Sequence, residues 1–372
     1  MQRHSLLFQR RNVELNAGVS IMPLALHEFH RASGAVFAEV NNQEVVLDYG
    51  DWMGEYSALR EGAGVVDTSF RGRLCLLAAD RQRFLNGQVT NNVKDLRSGQ
   101  GCYAALVSAK GKLQSDLNIY CLENEILLDL EPGYTGIVGQ RLEKYVIAED
   151  VQIVDAAEHY GMLSVQGPKA ASIAEFALDN TMAITKIEDP ALGELYAAGN
   201  QRFGRAGFDL FVPISSMKEM ATRLVSRGGR LCGWRALETL RVERGVPRFG
   251  ADMDETNLAP EAIDERAISY SKGCYIGQEV IARVRTYGHV AKSLRSLKLE
   301  EDAASLPVKG AKIFHGDQEA GYVTSAVLSP MHKSVVALGY VRRGAVQPDA
   351  KLFVETPGGK VPARLMDKSE LL

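Results

Sequence analysis

The segment LQSDLNIYC, residues 113–121, sorts its side chains into two faces. In an extended chain Leu113, Leu117, Ile119 and Cys121 fall on one side, and Gln114, Asp116, Asn118 and Tyr120 on the other. That alternation predicts a strand with one apolar face. A turn at Glu123-Asn124 leads into EILLDL, so residues 101–130 read as two or three antiparallel strands. On the N-terminal side, residues 51–66 predict a helix ending at Gly62 and Gly64, and Leu74–Leu77 a buried strand. Asp80 is placed to N-cap the short helix DRQRFLNGQV. On the C-terminal side, residues 137–147 read as a helix, and MLSVQGPKAASIAEFAL as strand, Gly-Pro turn and helix. RAGFDLFVP reads as a strand, and MKEMATRLVSRGG and GWRALETLRVERG as helices that stop at glycine. Two similar runs of elements, roughly 70–150 and 160–245, hint at internal duplication, although their residues match too poorly to claim a repeat. After residue 290 six short strand-like runs separated by Gly, Pro and Asp predict a small β-barrel or sandwich, with a boundary near Thr286–Val290.

At 372 residues the chain exceeds one ordinary core and suits two or three domains. A formal net charge of −3 gives no global reason to expect nucleic acid or anionic membrane as a partner. Cys75, Cys102, Cys121, Cys232 and Cys274 are odd in number and widely spaced, with no CxxC pair, which argues against a disulfide framework and a closed zinc site. No metal site is expected, and a reducing, cytoplasmic compartment fits best. No run of about 18 apolar residues occurs. The arginine-rich N-terminus reads as a frayed end or, in a eukaryote, as a transit peptide to the mitochondrial matrix.

The segment KGCYIGQE, residues 272–279, carries the chemistry of a reactive thiol. Cys274 follows a glycine, Lys272 lies two residues away to stabilise a thiolate, and an element starting after Gly277 would aim backbone N–H groups at it. The competing reading is a small buried hydrophobe.

This segment resembles the signature of the YgfZ family, relatives of the aminomethyltransferases (T-proteins) of the glycine cleavage system, which typically carry a segment like KGDFIGKE without the cysteine. Looser matches follow in order along nearly the whole chain: GVVDTSFRGRL, VQGPKA, GFDLFVP, ALETLRVERGVPRFGADM and GYVTSAVLSP. The resemblance implies an α+β, multi-domain ring (cloverleaf) around a central folate cavity. It places a folate-binding region at 1–286, with subdomains at about 25–155 and 156–286, and a C-terminal β-barrel at 287–372. It implies tetrahydrofolate, or a substituted folate, as the bound cofactor.

On that resemblance GKLQSDLNIY matches the T-protein strand that supplies an essential carboxylate. Asp116 falls on it, Ser115 replaces a neighbouring aspartate, Tyr120 matches a tyrosine and Asn118 replaces an apolar residue. Asp209 falls where T-proteins carry a glutamate that holds the pterin; a carboxylate accepts two parallel N–H bonds from an amino-pyrimidine edge. Arg241 shares a helix face with Leu237 and Leu240 and should meet an anion: a folate carboxylate, Asp116, Asp209, or a structural partner. Arg283, Arg285, Lys292 and Arg295 are expected at an entrance, or on a solvated edge. The implied function is an accessory role in iron–sulfur cluster assembly or repair, with iron–sulfur client or assembly proteins as partners and Cys274, Lys272 and Asp116 as the reactive set. The alternative is a folate-dependent aminomethyl or one-carbon transferase.

Overall fold

The computed structural model describes residues 21–174, 176, 181–200, 202, 207–300, 305–347 and 350–371. The arginine-rich start of the chain, and the transit-peptide reading with it, lie outside them.

Residues 72–155 form a strand, a helix, three strands, a helix and a strand: Gly72–Leu77, Arg81–Gln88, Gly101–Val107, Leu113–Cys121, Ile126–Leu130, Thr135–Glu143 and Gln152–Asp155. Residues 160–231 repeat that order with Tyr160–Gln166, Ala170–Ile173, Ile184–Asp189, Gly193–Gly199, Gly207–Pro213, Met217–Ser226 and Arg230–Leu231. In both sheets the second, third, fourth and first strands of the run lie side by side in that order, with the fifth beyond. The duplication hinted at by the sequence is therefore architectural. At the first strand-to-helix turn both copies adopt positive φ, at Ala78 (74°) and Gly167 (121°). Gly167 has a second reason to be glycine: a Cβ there would sit 2.4 Å from the Gly62 carbonyl oxygen.

The second sheet has one extra strand. Gly64–Asp67 inserts between Tyr160–Gln166, which it pairs antiparallel, and Arg230–Leu231, which it pairs parallel. One expectation is corrected here. The helix expected over 51–66 ends at Glu61, with Asp51 accepting a hydrogen bond from Gly54 N as its cap; the buried Val65-Val66 pair suits a pleated sheet better than a helix face. Gly64–Asp67, within the first subdomain expected at about 25–155, thus pairs with strands of the second sheet. Asp80 occupies the expected N-cap position of its helix, but its side chain makes no capping hydrogen bond and accepts instead from Asp150 N at 3.0 Å.

Helix Trp234–Glu243 is the hub. Its apolar face (Trp234, Leu237, Leu240) shares a core with Val45 and Val46 of the N-terminal hairpin and with Tyr56 and Leu59 of the helix Trp52–Glu61. Its far side, at Val242, meets Val336 and Leu338 of the C-terminal domain. That domain is a closed six-stranded barrel, in the order Lys292–Leu299, Ser334–Arg342, Gln318–Ser329, Lys312–His315, Leu352–Thr356 and Gly359–Leu365. All six expected runs are strands. A bulge between Val323 and Ser325 turns two neighbouring hydroxyls the same way, and Thr324 and Ser325 both donate to Asp252 at 2.6 Å. The α+β class and the C-terminal barrel are as the sequence implied.

Candidate functional site

The strand Leu113–Cys121 has the bounds read from its alternation. Leu117, Ile119 and Cys121 of its apolar face pack into the core under the two helices of its sheet, with Leu74, Leu85 and Leu142. Its polar face looks toward the second sheet. Across that face Tyr103 lies opposite Asn118, Asn118 opposite Asp129, and Asp129 opposite Arg73. Residues one row away complete the site.

Asp116 receives one hydrogen bond from the Tyr103 hydroxyl, 2.9 Å to Oδ2, on the diagonal between strands. Its Oδ1 is buried and has no hydrogen-bond partner among the described residues. Burial first, and then the negative charge of Glu131, push its pKa up to about 7, against the opposing pull of Arg71. Asp116 therefore changes charge near neutrality.

Asp129 is the opposite case. Burial favours its neutral form, but Arg71 Nε (2.6 Å), Arg202 Nη2 (2.8 Å) and Asn118 Nδ2 (2.8 Å) surround it, and the two guanidiniums hold it well below the usual carboxylate range. Arg71 also pairs with Glu131. Arg248 approaches Glu131 (3.9 Å) and Glu238 (3.2 Å) and lies over the Trp234 ring.

Asp209, on the facing strand, is fully buried. Asn200 Nδ2 donates to its Oδ2 at 2.8 Å, and Arg202 donates from Nε to Oδ1 (3.1 Å) and from Nη2 to Oδ2 (2.7 Å). Arg202 thus bridges the two sheets. Tyr120 is buried against Phe211, its hydroxyl accepting from Asn200 Nδ2 at 3.3 Å. Asp116, Asn118, Tyr120 and Asp209 are thus brought into one inter-sheet layer.

Arg241 is not brought there. All five of its N–H bonds are used: by both oxygens of Glu238, by Asp252, by the Val246 carbonyl and by the Ser325 hydroxyl. The anions it meets are Glu238 and Asp252, the structural partners among the alternatives its helix face left open. Lys272 is likewise committed. Its Nζ donates to the carbonyls of Asn86, Val89 and Asn91, at 2.6, 2.9 and 2.6 Å, closing the C-terminal end of the helix Arg81–Gln88. Burial draws its pKa down to about 8, while three acceptors require the three protons of the ammonium form. These contacts account for the ammonium without Cys274.

Cys274 is exposed, alone among the five cysteines. Burial pushes the Cys75 and Cys102 thiols up to about 12, and raises Cys121 and Cys232 as well. The helix Gln278–Tyr287 begins just after Gly277, whose φ of 82° and 2.4 Å approach of a Cβ to the Ser108 carbonyl oxygen exclude a side chain. The basic residues nearby are dispersed: Arg283 pairs with Glu279, Arg285 stacks on Tyr270, and Lys292 donates to the Tyr322 hydroxyl.

Sequence reasoning missed Tyr103, Arg71, Asp129, Glu131 and Arg202. The alternation of EILLDLEPG carried a signal for Asp129 and Glu131, which fall on one face two residues apart. Arg202 sits between strands, where no periodicity marks it. A cavity of about 330 Å³ lies beside the cluster, lined by Arg71, Arg73, Gln43 and the start of the helix at Thr135. Among the described residues no group of three or more His, Cys, Asp or Glu is arranged to hold a metal, and no helix is long and apolar enough to cross a membrane.

Residues 26–272 match the GCVT N-terminal domain, and residues 292–369 match the glycine cleavage T-protein C-terminal barrel domain. The chain belongs to the glycine cleavage T-protein family. It is 28% identical over 350 residues to an aminomethyltransferase of Rubrobacter xylanophilus, covering 92% of each chain. It is 28% identical over 351 residues to an aminomethyltransferase of Thermus thermophilus, covering 91% of this chain and 96% of that one. The crystal structure of the glycine cleavage system aminomethyltransferase T from Bartonella henselae has the same fold, with a TM-score of 0.85 at 23% identity over 94% of this chain and 98% of that one. The T-protein architecture thus extends through both matched domains.

Proposed function

We propose that this protein binds a reduced folate between its two sheets and handles a one-carbon unit there, in the manner of an aminomethyl-type transferase. One observation carries the reading: a buried carboxylate, Asp116, with one oxygen fixed by Tyr103 and the other without a donor. Burying a carboxylate oxygen unpaired costs several kcal/mol, and a ligand with N–H groups would supply what is missing. The residues fit a pterin: neutral and charged acceptors lie on the layer formed by Asp116, Asn118 and Asp209, with Tyr103 and Tyr120 as aromatic neighbours. A folate would supply the nitrogens that carry a one-carbon unit. The chain's part is to hold either a proton or a negative charge at Asp116 Oδ1, and a group that titrates near pH 7 can do both at working pH. Full-length similarity to aminomethyltransferases supports this reading over the iron–sulfur one.

Calorimetric titration with tetrahydrofolate under anaerobic conditions tests it. Saturable micromolar binding is expected, weakened at least about tenfold by Asp116→Ala, since a charged hydrogen bond is worth roughly 1.5–3 kcal/mol. Absence of binding by folded protein overturns it.

A second reading, the accessory role in iron–sulfur assembly or repair that likeness to the YgfZ family implies, is favoured by the exposure of Cys274. If Cys274→Ser abolishes function while Asp116→Asn does not, that reading replaces the first. One cysteine cannot by itself supply a four-ligand cluster site, so a cluster would be shared with a partner.

A further inference from the structure

The two N–H groups that Arg202 directs at Asp209 form a planar fork, with Nε and Nη2 attached to one carbon and bonded to Oδ1 and Oδ2 at 3.1 and 2.7 Å. The 2-amino-4-oxopyrimidine edge of a pterin presents the same fork, a ring N–H and an exocyclic NH₂ on one carbon. A carboxylate offers one edge to such a fork. Asp209 is fully buried, and its remaining neighbour, Asn200, already shares Oδ2. The pterin and Arg202 therefore ask for the same edge of the same carboxylate.

From this we infer that Arg202 is an internal competitor for the pterin subsite and sets the affinity of the protein for reduced folate. The inference rests on the folate reading above and adds to it the residue that opposes binding. The exchange leaves no carboxylate stranded. When the Arg202 fork leaves, Asp129 keeps Arg71 and Asn118, and Asp209 keeps Asn200 and gains the pterin edge. The arginine side chain is 11% exposed, whereas neither aspartate it holds is exposed. Because Arg202 brings a full positive charge to the carboxylate and a neutral pterin does not, the arginine-bound form dominates without ligand. Apparent affinity then falls in proportion to the fraction of molecules whose Asp209 is free.

The test is a set of titrations of the full chain and its Arg202→Met and Arg202→Lys variants with tetrahydrofolate and with 6-methyltetrahydropterin, which lacks the tail. Arg202→Met should bind both ligands at least about tenfold more tightly than the native chain. Its ligand-free form should melt lower, and its ligand-induced rise in Tm should be larger. Arg202→Lys keeps a cation between the aspartates but cannot present the fork, so its affinity should fall between the two. It also serves if the methionine variant does not fold. If the native chain binds and the variants bind equally or more weakly, Arg202 is a ligand contact and the inference fails while the folate reading stands. If tightening appears with tetrahydrofolate but not with the pterin fragment, Arg202 acts on the tail and the inference fails. If folded native and variant proteins all fail to bind either ligand, both fall.

Discussion

Tyr103 fixes one oxygen of Asp116 at 2.9 Å and leaves the other buried oxygen open. The pair resembles a half-assembled binding site, with its carboxylate oriented from one side and poised from the other. Its energetic signature should be visible without any ligand.

Asp116 has its pKa raised from 3.8 to about 7 in the folded chain. Between those values the folded state holds a proton that the unfolded state has lost, so stability falls as pH rises through this window; the penalty is complete above about 7 and absent below about 4. Asp116→Asn removes the titration. The stability difference between variant and native chain, from denaturant unfolding at pH 4.5 and pH 8, should therefore grow in favour of the variant by roughly 2–4 kcal/mol. A pH-independent difference would show that Asp116 keeps an ordinary carboxylate pKa.

Tyr103→Phe removes the hydrogen bond that favours ionised Asp116. The midpoint of the Asp116 titration should move higher still, by about one pH unit for one hydrogen bond to a charged group. Carboxyl carbon shifts followed by NMR across pH 5–9 would register the move. A midpoint that stays in place would mean the phenol does not bear on the charge of the carboxylate.

Arg241 satisfies Glu238 and Asp252 in the interior and reaches the barrel through Ser325. Arg241→Gln leaves the buried carboxylate of Asp252 and the half-buried one of Glu238 underpaired and should destabilise the chain by about 3–5 kcal/mol. Folate affinity measured on the remaining folded protein should change by less than about threefold, well short of the Asp116→Ala effect. A large loss of affinity at unchanged Tm would return Arg241 to the binding site.

Iodoacetamide should modify one thiol in the native chain, Cys274, and all five after unfolding. Lys272→Met strips three carbonyls of their donor and should lower Tm. In the protein that stays folded, the alkylation rate at Cys274 should remain within about twofold of native, since the ammonium points at carbonyls. A tenfold fall in rate would restore Lys272 as the stabiliser of a thiolate.

What the sequence disclosed follows the range of its physics. Alternation is a local property, so Leu113–Cys121 and the six barrel strands were legible, and with them the facing of Asp116, Asn118 and Tyr120. The partner of a charge is not a local property. Arg241 stood on a helix face that demanded an anion, yet one candidate anion in the same helix, Glu238, and one in the following loop, Asp252, met that demand. Arg202 carried no pattern at all, because its position is set by two strands from different sheets. Lys272 shows the same limit at short range: two residues from Cys274 in sequence, it reaches back to residues 86–91 instead. The strand Gly64–Asp67 was hidden by brevity, four residues directly after a helix.

That short strand has a consequence for how the molecule is made. It is wedged between Tyr160–Gln166 and Arg230–Leu231, about a hundred and more than a hundred and sixty positions further along the chain. A ribosome releasing the chain in order must leave Val65 and Val66 without their sheet until those later segments emerge. The segment that precedes the first copy is thus threaded into the sheet of the second. Cutting the chain at residue 155 would yield a first piece with an apolar strand looking for a home and a second piece with a gap of the same width, so mixing the two pieces, rather than purifying either, should regenerate the native sheet.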